Sequence, residues 1–157
     1  WDRPKGGIVW NAMDELRDAS VRAAGQACMQ PKAGGWRCAH LPDWMHVSPD
    51  HVLINAERRH CLWAHPPAKG KPLTIRFNNL PKGELTWHHG LSDQASKSSN
   101  RNPVEVALKW RGGSAQLKAK NGAGWQLSKH QVEGFLDITV RAQQDGQRHH
   151  CFTAVIR

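Results

Sequence analysis

Beyond His51 the chain is dominated by short runs in which every second residue is apolar, and this period of two restricts it to a β architecture. In Leu73-Thr74-Ile75-Arg76-Phe77, the apolar residues share one face of an extended strand while Thr74 and Arg76 share the other. The same alternation recurs in Val104, Val106, Leu108 and Trp110, in Ala115, Leu117 and Ala119, and in Leu136, Ile138, Val140 and Ala142. Turn chemistry separates these runs at Pro81-Lys82-Gly83, Arg111-Gly112-Gly113, Asn121-Gly122-Ala123-Gly124 and Gln144-Asp145-Gly146. With Val52 to Asn55, Cys61 to His65, Leu85 to His89, Trp125 to Leu127 and Cys151 to Ile156, eight or nine short strands are expected. No crossover helix interrupts them, so the strands pair antiparallel and pack as an all-β sandwich. The polar stretch Ser92 to Asn102 is too long for a hairpin turn and suits a connection between the two sheets.

The first fifty residues follow a different pattern. Asn11 can cap a short N-terminal helix that carries Asp14 near its positive end and Arg22 near its negative end, running to about Gly25. From Pro31 to Pro49 the prolines and glycines predict an irregular strap. Two regions are therefore expected, a helical, disulfide-held extension over residues 1–50 and the sandwich over 51–157. No apolar run is long enough for a transmembrane helix. Because the chain begins at Trp1, an upstream segment, such as an export signal, is expected to have been removed.

Four cysteines, Cys28, Cys38, Cys61 and Cys151, lack the paired spacing of a zinc ribbon or of a haem attachment site. Disulfides are the economical alternative to four reduced, buried thiols. Of three possible connectivities we expect Cys28 to Cys38, closing the strap, and Cys61 to Cys151, joining two similar segments. Arg59-His60-Cys61-Leu62-Trp63-Ala64 and His149-His150-Cys151-Phe152-Thr153-Ala154 each place cysteine early in a strand, as neighbouring first and last strands would. Such bridges belong to an oxidising compartment, so a periplasmic or extracellular location is expected.

The succession Cys61-Leu62-Trp63-Ala64-His65-Pro66, Leu73-Thr74-Ile75-Arg76-Phe77, Gly90-Leu91-Ser92-Asp93, Pro103-Val104-Glu105-Val106, Gly124-Trp125 and His150-Cys151-Phe152 resembles the galactose-binding-like jelly-roll modules of exported bacterial proteins. The resemblance covers residues 51–157 and rests on strand order and short motifs. It implies a jelly roll, and because many such modules bind sugars, it admits a binding function without establishing one.

Ten histidines raise the question of a metal site. Neighbours on a strand point to opposite faces, so neither His88 with His89 nor His149 with His150 readily grips one ion, and no zinc hydrolase or deaminase signature is present. No serine lies in a nucleophile elbow and no glycine-rich phosphate loop occurs, so neither a catalytic residue, a metal nor a cofactor is assigned. Eight tryptophans without a single tyrosine are the most unusual count, since an indole can fill a core or form a platform for a sugar ring. Trp63 and Trp110 are in phase with apolar neighbours and are expected in the core. Trp87 and Trp125 border turns, and with His88, His89 and Asp93 they form the expected ligand surface, a stacking ring beside hydrogen-bonding groups.

Twenty-two Lys and Arg against thirteen Asp and Glu give a net charge of +9, but they are scattered and no run of five forms a nucleic-acid arm. The first functional expectation is a non-catalytic, exported interaction or structural module, an accessory subunit docking on a protein partner in a cell-envelope or extracellular assembly. The alternative is a carbohydrate-binding module that uses exposed tryptophan and histidine, and a second is a binder of anionic polymers through the basic surface.

Overall fold

A computed structural model of the chain describes residues 7–30, 34–39 and 41–157. Trp1, and the part of the strap at 31–33 and 40, lie outside the described residues. In chain order the elements are β1 (Trp10–Asn11), α1 (Ala12–Glu15), β2 (Ser20–Ala23), β3 (Gln26–Ala27), β4 (Trp36–Arg37), β5 (His46–Ile54), β6 (Glu57–Ala64), β7 (Leu73–Leu91), α2 (Asp93–Lys97), β8 (Val104–Trp110), β9 (Gly113–Ala119), β10 (Gln126–Arg141) and β11 (His150–Ile156).

All strand pairs are antiparallel, and the order along the ladder is β4-β5-β6-β11-β7-β10-β8-β9, with β1 on β11, and with β2 on β7 and β3. The strands β7 and β10 belong to both layers of the jelly roll. The first half of β7 (Ile75) pairs with β2 and with the end of β10, whereas its second half (Trp87) pairs with β11 and the start of β10. Between the layers lies one core that includes Val47, Leu62, Trp87 and Phe152 from one side and Ile75, Val106, Leu136 and Ile138 from the other. The inner residues recur at every second position, as the alternating pattern requires.

Three local expectations are corrected. Pro81-Lys82-Gly83 does not end a strand; it lies within the 19-residue β7, where the ladder slips out of register opposite Glu133 and Gly134. A bulge is where a proline without an amide hydrogen is tolerated in a sheet, and Gly134, at φ 82°, supplies the required backbone conformation. The runs at Trp125 to Leu127 and Leu136 to Ala142 are likewise largely joined in β10. The N-terminal helix is capped by Asn11, whose side chain accepts the Met13 N–H at 3.0 Å, but it stops at Glu15 and passes into one 3₁₀ turn over Leu16–Asp18. Ser20–Ala23 is instead a strand, with Val21 paired to Ile75 and buried. The edge of β7 offers this segment a full set of backbone partners, and the small apolar face of a continued helix would have buried less.

Cys28 is bonded to Cys38 and Cys61 to Cys151. The second bridge ties β6 to β11, which pair directly at Phe152 and Leu62. The strand β5 runs across residue 50, and Trp10, Leu16 and Val21 share the core with the strands that follow. Among the described residues no helix is long and apolar enough to cross a membrane.

Candidate functional site

Parity along β6 decides which side chains reach the surface. Leu62 and Ala64 are buried in the core, so Cys61 and Trp63 point to the outer face of the sheet. On β5 the residues paired with that face are Ser48, opposite Trp63, and Asp50, opposite Cys61. On the other side Cys151 is opposite Trp63. The half-buried indole of Trp63 therefore rests on a patch made by the Cys61–Cys151 bridge, Val52 and Ile54.

Imidazoles surround this indole. The ring of His46 stacks on it at 5.8 Å between centroids and 12° between planes, and the rings of His149 and His65 lie at 5.4 Å and 5.9 Å. The Trp63 Nε1–H donates to the Trp44 carbonyl at 2.9 Å, which sets the orientation of the ring. Trp44 in turn packs on His65 at 4.3 Å. The Ser92 hydroxyl, already accepting the Ala95 N–H, pairs with His149 Nδ1 at 3.0 Å.

Two cavities meet at Trp63 and His149. One, of about 300 Å³, is completed by Trp44, His65, Asp145, Gly146 and Gln147; the other, of about 390 Å³, by residues of β5 and by Ser92, Asp93 and Gln94. Together they form a groove with aromatic floor and polar walls. Burial holds the His65 imidazole down to about 4, and burial, with Arg148 behind it, also lowers His149. Burial lowers His46 as well, so all three rings are neutral at neutral pH.

The loops that carry the groove walls are organised by Arg148, whose side chain is fully buried. Its guanidinium donates to the carbonyls of Ala95 and Asn102 at 2.9 and 2.8 Å, to Ser98 Oγ at 2.9 Å and to Asn121 Oδ1 at 2.5 Å. One side chain thus holds α2 and its following loop against the segment that presents Asp145 and Gln147.

The expected ligand surface is only partly assembled. Trp87 is fully buried and stacks on Phe152 at 4.7 Å, so it cannot serve as a platform. Its parity with Leu85 places it inward, and the core accepts it whole. His89 is also buried, with Nδ1 3.1 Å from Nε2 of His150, which itself reaches the Ala64 carbonyl at 3.1 Å. Asp93 is committed to structure, accepting the N–H groups of Asn55 and Ala56 at 2.6 and 2.9 Å. His88 and Trp125 do come together on the outer face, stacked at 5.6 Å and 6°, with the Arg59 guanidinium 5.6 Å from the Trp125 ring centre.

Trp63, expected in the core, is instead the centre of the groove. The segment Cys61-Leu62-Trp63-Ala64 is apolar at both parities, which conceals the outward face. Trp44, His149, Asp145 and Gln147 carry no motif and come together only through folding. Among the described residues no group of three or more His, Cys, Asp or Glu is placed to hold a metal ion.

The chain matches no family model and no curated protein. Among solved structures it is similar to the M60 catalytic domain with the CBM51-1 and CBM51-2 domains of ZmpB from Clostridium perfringens, with a TM-score of 0.52, 10% identity, and coverage of 90% of this chain and 20% of that one. It is also similar to CBM51 from Clostridium perfringens GH95 in complex with methyl-galactose, at a TM-score of 0.45, 9% identity and coverage of 69% of this chain and 80% of that one. A third is Xyl-CBM35 in complex with a glucuronic acid containing disaccharide, at a TM-score of 0.43, 13% identity, and coverage of 83% of this chain and 92% of that one. The chain spans only 25%, 20% and 30% of three ZmpB chains it matches. At these identities the likeness is one of fold, the galactose-binding-like jelly roll.

Proposed function

We propose that this chain is a non-catalytic carbohydrate-binding module and that the groove around Trp63 and His149 takes the sugar. The observation that carries this reading is an indole fixed by its own Nε1–H bond to Trp44 at the junction of two cavities, with the side chains of Asp145, Gln147 and Gln94 around it. A pyranose offers an apolar face to a ring and hydroxyls to polar walls, which is the combination this groove provides. The fold supports the same reading, since the ZmpB structure it resembles contains CBM51 carbohydrate-binding domains. The two disulfides support a secreted or extracellular setting.

Docking on a protein partner has less support. Among the described residues the large exposed apolar side chains are Ile8, Val9, Met29, Leu53 and Leu127, which sit on or beside four separate strands.

A glycan array followed by calorimetry on the best hit tests the proposal. Trp63→Ala is expected to weaken binding by roughly 1–3 kcal/mol, and Trp63→Phe, which keeps a ring over the disulfide patch, by less. If both variants bind as the parent does, the sugar is held elsewhere. Trp125→Ala is the comparison, because that ring lies on the same outer face beside His88 but lines neither cavity.

A further inference from the structure

The charge of the groove is opposite to that of the molecule. The chain carries +9, yet neither cavity is lined by a single lysine or arginine among the described residues, whereas Asp145 lines one and Asp50 and Asp93 line the other. The three carboxylates are not equally available. Asp93 spends both oxygens on the amides of Asn55 and Ala56, and Asp50 Oδ1 accepts the His51 N–H at 2.7 Å, which leaves its Oδ2. Asp145 has no hydrogen bond or ion pair from its side chain among the described residues, and it stands in the cavity floored by Trp63.

Among the described residues no cation occupies this carboxylate. His65, His149 and His46 are held neutral by burial, and Arg148, whose charge is felt at His65 and His149, directs its guanidinium donors into the loops, to Ala95, Asn102, Ser98 and Asn121. Arg37 lies on the His46 side and His51 beside Asp50, and neither lines the cavity that holds Asp145. In a half-enclosed groove a charge acts through less water than on an open surface, so a carboxylate there repels an anionic sugar and attracts a cationic one.

Resting on the reading of this groove as a sugar site, we propose that its ligand is an amino sugar with a free, protonated amine, held by Asp145 while its ring packs on Trp63, and that uronic acids and sulfated sugars are excluded. The ammonium offers three donors, which matches a carboxylate whose oxygens accept no hydrogen bond among the described residues. The basic exterior keeps the module away from cationic polymers in general, so the amine is read at the groove alone.

Calorimetry at about pH 6 tests the assignment with three probes of equal length: glucosamine or galactosamine oligomers, their N-acetylated forms, and oligogalacturonate. The free-amine oligomer is expected to bind roughly tenfold more tightly than its N-acetylated form, with the advantage shrinking in salt, and the uronate not to bind. Asp145→Asn, which keeps the shape of the wall, is expected to remove most of that tenfold preference while binding of the N-acetylated oligomer stays within about twofold. Equal or tighter binding of the N-acetylated form, or any binding of the uronate in this groove, overturns the amine assignment and leaves the sugar site standing. Failure of all three probes, together with a blank glycan array, overturns both.

Discussion

Among single residues Trp87 shows most directly how burial outranks composition. Its ring, carried by β7, is fully enclosed in the core and stacks on Phe152 of β11, and its Nε1 finds no hydrogen-bond partner among the described residues. Replacing it with alanine is expected to lower stability by roughly 3–5 kcal/mol through the cavity left behind, without touching the groove. Trp87→Phe should cost clearly less, because it also removes a buried polar atom that makes no bond. Urea titrations of the two variants check both values, and a small loss for Trp87→Ala would mean that the ring is not packed as described.

At the scale of elements, α2 acts as a clamp on a hairpin it does not belong to. The turn between β5 and β6 places Asn55 and Ala56 at φ 53° and 62°, a conformation that leaves two amides pointing out of the ladder. Asp93, in the first turn of α2, accepts both. The helix is itself started by Ser92, whose hydroxyl caps Ala95 and also holds His149 in the groove. Asp93→Ala is therefore expected to cost about 1 kcal/mol, modest because water reaches these amides, and to speed hydrogen exchange at Asn55 and Ala56 selectively. Unchanged exchange at those two positions would show that the turn stands without the clamp.

The whole molecule carries a pH dependence in its buried imidazoles. Burial holds His65 and His89 down to about 4, and burial, with His89 beside it, also holds His150 well below its ordinary value. In the unfolded chain these rings titrate near 6.5, so between that pH and about 4 the unfolded state binds more protons than the folded one. Stability is then fully present above pH 6.5 and falls as the pH drops toward 4, by up to roughly 3 kcal/mol for each of His65 and His89. The urea midpoint measured from pH 7 down to about 4.5 should decline along this course. A flat profile would show that the histidines are not buried as neutral groups.

Most of the architecture was legible in the order of residues, because it depends on local rules. Alternation at Leu73, Ile75 and Phe77, or at Val104, Val106 and Leu108, sorts side chains between two faces whatever the strands later pair with, and four cysteines without metal spacing leave few economical pairings. The joining of two expected strands across Pro81 was not legible, since the bulge that admits it is supplied by Gly134 on another strand. Nor was the strand at Ser20–Ala23, which exists because β7 presents an open edge there. The groove depended most on folding. Trp63 lies in a segment apolar at both parities, so its outward direction follows only once Leu62 and Ala64 meet Phe152 and Val47 in the core, and its companions Trp44, Asp145 and His149 arrive from distant parts of the chain, Trp44 tied by its carbonyl to the Trp63 ring. Local sequence determines which residues form strands and which face each can show, whereas the site is made of long-range contacts, and those are decided by which faces find enough apolar surface to bury.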